Sequence, residues 1–139
     1  MKCAKEIVMI KNVAIAEHEA AERQKDIEAF ENYKKRCIKT IEFCDTEIEK
    51  ALIEQAKKRE PLIIKLSGHI CNDRLGNEIF ETVNTHHCID VKTLEAYLAE
   101  HCINCEKKGE PYSYSKGGRT YLDHRDAFII FVPKELSCN

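Results

Sequence analysis

Two groups of side chains in this sequence are of types that do chemistry. The first lies near the C-terminus, where Lys116, Arg119, His124 and Arg125 fall around turn-forming sequence with Tyr112, Tyr114 and Tyr121 interleaved. Gly117 and Gly118 leave backbone N–H groups open between them. Cationic side chains, free amides and flat rings together suit a phosphate, a nucleotide or an acidic protein surface. The ligand-binding set expected on these grounds is Lys116, Arg119, Tyr121, His124 and Arg125. Neither GxGxxG nor GxxxxGK followed by Ser or Thr occurs, so no standard nucleotide loop is present. The plainer reading is a solvated hairpin whose cations pair locally with Asp123 and Asp126, an arrangement worth little energetically.

The second group is rich in Cys and His. His101-Cys102-x-x-Cys105 contains a CxxC, His86, His87 and Cys88 precede it, and His69 and Cys71 come earlier still. Two thiolates from one turn are half of a tetrahedral zinc site. A matching second CxxC or HxxxH is missing, so a zinc-stabilised module stands as an alternative and no metal ligand is assigned. Redox use is disfavoured, because a reactive CxxC starts a helix and this one ends one. Asp123-His124-Arg125-Asp126 sets acids beside a base, and His69 follows a strand. A small hydrolase or nuclease built on His124 or His69 is therefore a third reading. No local signature selects a nucleophile and base, and no catalytic residue is assigned.

The elements that position these groups are legible in coarser features. From Met1 to Glu60 there is no Gly and no Pro, and Pro61 follows the basic run Lys57-Lys58-Arg59. Such a run suits a helix C-terminus. Val13, Ala16, Ala20, Ile27, Phe30, Cys37, Ile41, Cys44, Ile48 and Ala51 recur at alternating steps of three and four, interrupted by Arg23, Lys34 and Gln55. A heptad stripe of that length predicts a coiled-coil-like helix that pairs with another copy or folds back as a hairpin. Thr46-x-x-Glu49 offers a capping box after a break near Phe43–Asp45, while the continuous register favours a single rod. Ile38 and Leu52 widen the stripe on the side expected to meet the remainder of the chain.

After Pro61 the texture changes. Leu62–Leu66 reads as a buried strand ended by Ser67-Gly68, and Leu75–Val83 fits either a short helix or a strand. Asp90 can cap a helix from Val91 to about Cys102. Pro111–Ser115 and Arg119–Asp123 flank a hairpin turn at Lys116-Gly117-Gly118. A second turn is expected at His124–Asp126, before the apolar strand Ala127–Val132. The fold class is therefore α+β: a long N-terminal helix over residues 1–60, then a compact domain over 61–139 with a small antiparallel sheet and one or two short helices.

Composition narrows the function. Residues 1–60 carry 13 basic and 13 acidic side chains, and 61–139 carry 9 and 11, so neither part has the positive excess of a general nucleic-acid binder. A winged helix-turn-helix would place Glu95 and Glu100 against phosphate, with only Lys92 to offset them. No apolar run spans a membrane and no signal peptide is seen, so a cytoplasmic protein is expected, with most of its eight cysteines as free thiols. The leading expectation is a non-enzymatic, cofactor-free homo-oligomer that binds a protein partner or a small anionic ligand. Its short, charged, motif-poor profile matches accessory proteins of phages and mobile elements that inhibit host defences.

Overall fold

A computed structural model describes residues 1–83 and 85–135. The N-terminal segment is one continuous rod: α1 (Ala4–Phe43), a π-helical turn (Cys44–Ile48) and α2 (Glu49–Lys57). At about 1.5 Å per residue it is about 80 Å long. The rod, not the hairpin, is what forms. The expected break near Phe43–Asp45 is the π turn, and the capping box is not made, because Thr46 Oγ1 instead bonds back to the Glu42 carbonyl at 2.7 Å.

The π turn has a packing reason. Thr40, Cys44, Ile48 and Leu52 are all buried, at successive steps of four. Each such step overshoots a 3.6-residue turn by about 40°. A widened turn takes up the extra residue and returns Ile48 and Leu52 to the face that Thr40 and Cys44 occupy. Ile38, expected on the packed side with Leu52, points to solvent at 60 % exposure.

The rod stops without a glycine. Arg59 takes a left-handed conformation (φ 58°), its N–H reaches the Ala56 carbonyl at 3.1 Å, and the Glu60 N–H reaches Gln55 at 2.9 Å. This is the Schellman pattern, with Pro61 just beyond to prevent continuation.

The chain then forms β1 (Ile63–Asn72), β2 (Glu78–Thr82), β3 (Cys88–Asp90), α3 (Val91–Glu100), β4 (Asn104–Lys116) and β5 (Arg119–Phe131). The five strands make one sheet of order β3-β2-β1-β5-β4, and every pairing is antiparallel. β1 runs through Gly68 instead of ending there. A Cβ at Gly68 would lie 2.0 Å from the Glu81 carbonyl oxygen, so the close approach of β1 to β2 requires glycine. Leu75–Val83 resolves as a turn and β2, which removes the first helix that a helix-turn-helix needs. Asp90 caps α3, its carboxylate accepting from the Thr93 N–H at 3.0 Å.

The core lies between the rod and one sheet face. Phe43, Cys44, Ile48 and Leu52 from the rod meet Phe80, Ile89, Phe128 and Ile130 from the sheet and Val91, Leu94 and Leu98 from α3. Phe80 and Phe128 stack edge to face at 4.7 Å. The stretch of rod from about Thr40 to Leu52 thus shares one core with the sheet. Farther toward the N-terminus it is held by ions: Arg36 bonds Asp73 at 2.7 Å, and Arg74 reaches Asp26 at 2.6 Å and also Glu22. Every residue from Met1 to Ala21 is exposed. Among the described residues no helix is long and apolar enough to cross a membrane.

Candidate binding surface on the open sheet face

Residues directly opposite in an antiparallel pair share a face, and neighbours along a strand alternate. The register pairs Glu110 with Arg125, Tyr112 with Asp123, Tyr114 with Tyr121 and Lys116 with Arg119. These eight side chains share the face turned away from the rod. Beyond Gly109 and Asp126 no third strand pairs with the β4–β5 ribbon among the described residues, so it projects as a two-stranded arm. The turn expected at His124–Asp126 does not exist. Extended pairing continues through it, held by the Asp126 carboxylate accepting the Ile70 N–H at 3.1 Å.

Three tyrosines form a continuous ladder on this face. Tyr114 and Tyr121 stack at 5.4 Å, Tyr112 lies 6.0 Å from Tyr114, and His69 of β1 meets Tyr112 edge-on at 6.4 Å. Arg125 covers the other side of Tyr112 with its guanidinium 5.0 Å from the ring centre. Burial, then the nearby Asp123 carboxylate, pushes the Tyr112 hydroxyl above its usual pKa.

At the ribbon base Glu110 is clamped. Lys65 pairs with it, Ser67 donates at 2.9 Å and Arg125 Nε donates at 3.0 Å. These donors, Lys65 foremost, hold its carboxyl down at about 2. Arg125 is thereby committed to Glu110 and stiffens the ribbon root. At the tip Gly117 (φ 60°) and Gly118 (φ 76°) make the turn, and among the described residues neither Lys116 nor Arg119 has an ion-pair partner.

Of the five residues picked out in the sequence, Lys116, Arg119 and Tyr121 are grouped at the tip of the open face and Arg125 lies at its root. His124 pairs with Pro111 and belongs to the opposite face, beside Leu122 at 84 % exposure. Period-two alternation separates Asp123 and His124, adjacent in sequence, onto opposite faces. Outside those five are Tyr112 and Tyr114, which extend the row of rings from Tyr121 through the Tyr114–Tyr121 stack and the Tyr112–Tyr114 contact, and Glu110, which organises the root. Their alternation with small residues across Gly117-Gly118 was the available signal.

The other sites rearrange in a similar way. His69, Glu81 and Cys88 stand opposite one another on β1, β2 and β3, beside a hollow of about 470 Å³ that His86 also lines. His69 and Cys88 are two strands apart, roughly 10 Å, so they make no direct base–nucleophile contact. Among the described residues no three His, Cys, Asp or Glu side chains are grouped so as to hold a metal ion. The CxxC is split by structure. Cys102 adopts φ 59° as the left-handed stop of α3, with the Ile103 N–H reaching Leu98 at 2.9 Å, and it is disulfide-bonded. Cys105 faces the core, where burial pushes its thiol up to about 12.

A second hollow, about 540 Å³, lies between the rod and α3 and is lined by Ile48, Leu52, Leu98 and Ile103 among others. Its charged walls, Asp45 and Glu49, are acidic, and the Asp45 carboxylate accepts from the Tyr97 hydroxyl. That hollow does not suit an anion. No protein-family model, curated protein or solved structure matches the chain.

Proposed function

We propose that this chain is a non-enzymatic, self-assembling binding protein that docks the open face of its β4–β5 ribbon onto an acidic patch of a partner protein. The observation that carries this reading is the Tyr112–Tyr114–Tyr121 stack ending in the cations Lys116 and Arg119. Tyrosine and arginine on a rigid, exposed surface are the residues that dominate protein interfaces. The shape favours a protein over a free nucleotide. Small ligands are held in concavities that cover most of their surface, whereas this face is flat and projecting. Electrostatic steering by Lys116 and Arg119 would speed encounter with an acidic surface, and the tyrosines would supply buried area once docked. The size and motif-poor profile extend the reading to a phage or mobile-element protein that inhibits a host-defence enzyme by occupying its surface.

The test compares the full chain with Lys116→Glu/Arg119→Glu as paired baits in a host lysate, followed by calorimetry with any protein retained. A partner bound by the wild type and at least 100-fold more weakly by the variant supports the reading. Equal affinity, or retention only of a nucleotide, refutes it. Both substitutions are at an exposed turn, so the melting temperature should stay within about 2 °C of wild type, since surface changes are worth about 0.5 kcal/mol or less.

A further inference from the structure

The geometry points to a second copy of this chain as the occupant of the exposed N-terminal arm, with the two arms packed antiparallel. This rests on the self-assembly half of the function proposed above and adds the segment and its direction. The heptad stripe divides at Cys37. From Thr40 onward the rod packs one side against its own sheet, burying the stripe members Cys44 and Ile48 and the flanking Leu52 at 3, 2 and 7 % exposure, while Ile41 stays 37 % exposed. Before that point the stripe has no cover: Met9 and Val13 are 58 % exposed, Ile27 57 % and Phe30 50 %. A lone helix in water is marginal, and most helical stability comes from packing an apolar face. The unsatisfied part runs from Ala4 to about Asn32, four heptads and about 42 Å of helix, long enough for a two-stranded coiled coil.

Charge selects both the occupant and the direction. Residues 1–12 carry three lysines (Lys2, Lys5, Lys11) against one acid, Glu6. Residues 17–31 carry six acids (Glu17, Glu19, Glu22, Asp26, Glu28, Glu31) against Arg23 and Lys25; Arg74 of the same chain already pairs with Glu22 and Asp26, which still leaves the segment net acidic. The arm is therefore complementary to itself only when reversed. Parallel, in-register pairing would lay the basic ends together and the acidic segments together, and would bring the Arg23 side chains of both copies into one layer of the seam. Antiparallel pairing lays the basic end of each arm along the acidic segment of the other and separates the arginines. It also sends the two sheet domains to opposite ends of the paired arms, leaving both ribbons open.

The test is zero-length carbodiimide coupling of the full chain, with peptide mapping by mass spectrometry and the mass in solution from sedimentation. Within one straight helix Lys5 and Glu28 are about 35 Å apart, so an amide joining Lys5 or Lys11 to Glu28 or Glu31 arises only between copies. The expected result is a dimer carrying these couplings. Lys5→Glu/Lys11→Glu should dimerise about 10-fold more weakly, with an unchanged circular dichroism spectrum. A monomer at tens of micromolar overturns the inference. So does a dimer that forms a disulfide between its Cys3 residues, which only parallel arms bring together, and so does an unaffected charge variant. These outcomes are separate from the ribbon reading, because Lys116 and Arg119 are not on the arm. Unchanged partner binding by Lys116→Glu/Arg119→Glu with the dimer intact fails the ribbon reading alone, whereas a monomeric chain whose partner binding is lost in that variant fails the arm inference alone.

Discussion

Replacing Ile48 with alanine measures whether the second half of the rod is part of the core or an independent assembly segment. Ile48 is 2 % exposed, sits in the π turn and packs within the cluster that holds Phe80, Leu94 and Ile130. The change deletes three buried carbons, a transfer loss of about 2.4 kcal/mol at about 0.8 per carbon. Large-to-alanine core changes span about 2–5 kcal/mol because an unfilled cavity adds to the transfer loss. Here that addition is small, since Ile48 already borders the 540 Å³ hollow and the space opens into it. The expected cost is therefore about 2.5–3 kcal/mol, near the low end of that range. For a chain of this size it corresponds to about a 10 °C fall in Tm. Urea unfolding followed by far-UV circular dichroism gives the free energy, with Ile38→Ala as the control. Ile38 is 60 % exposed, and its loss should cost less than about 0.5 kcal/mol. A cost below about 1 kcal/mol for Ile48→Ala, or an equal cost at Ile38, would refute the packing argument and with it the division of the stripe at Cys37.

Two further expectations rest on titration. The Glu110 carboxyl is held at about 2 in the fold, well below its ordinary 4.5, so its clamp contributes stability that is present above the unfolded value and lost as pH falls from about 4.5 toward 2. Glu110→Gln should flatten the fall of the urea midpoint between pH 5 and pH 2.5, and parallel slopes for the two proteins would count against the clamp. Burial pushes the Cys44 and Cys105 thiols up to about 12, whereas Cys3 and Cys88 are exposed. Alkylation at pH 8 with mass-spectrometric readout should therefore modify Cys3 and Cys88 well before Cys44 and Cys105, and early labelling of Cys44 would contradict its place in the core.

Features that depend on near neighbours are legible in the chain alone. A stretch free of Gly and Pro with heptad spacing can hardly be anything but helix, and Asp90 ahead of Val91 caps α3 through a bond three residues long. Gly117-Gly118 supplies the two positive φ angles of the ribbon turn. These features are set by backbone sterics and local hydrogen bonds, which act within a few residues. Where the chain departs from those local signals, a distant contact has decided. The rod continues past Asp45 because a π turn keeps Ile48 and Leu52 on the sheet. β1 runs through Gly68 because β2 comes too close for any side chain there. β5 passes straight through His124–Asp126 because Ile70, over fifty residues earlier, donates to Asp126.

The candidate surface on the ribbon divides along the same line. The sequence marks Lys116, Arg119, Tyr121, His124 and Arg125 as a set, since charge and ring are properties of residue types. Only the register assigns them to faces, stacking Tyr121 on Tyr114, tying Arg125 to Glu110 and turning His124 to the other side. A strand's side-chain period is two, so one residue of register decides which side chains meet, and register is fixed by pairing with β1 and by the core beneath it. For the same reason the heptad stripe marks the apolar side of the rod, but does not show that its own sheet covers Cys44 and Ile48 and leaves the part before Cys37 exposed.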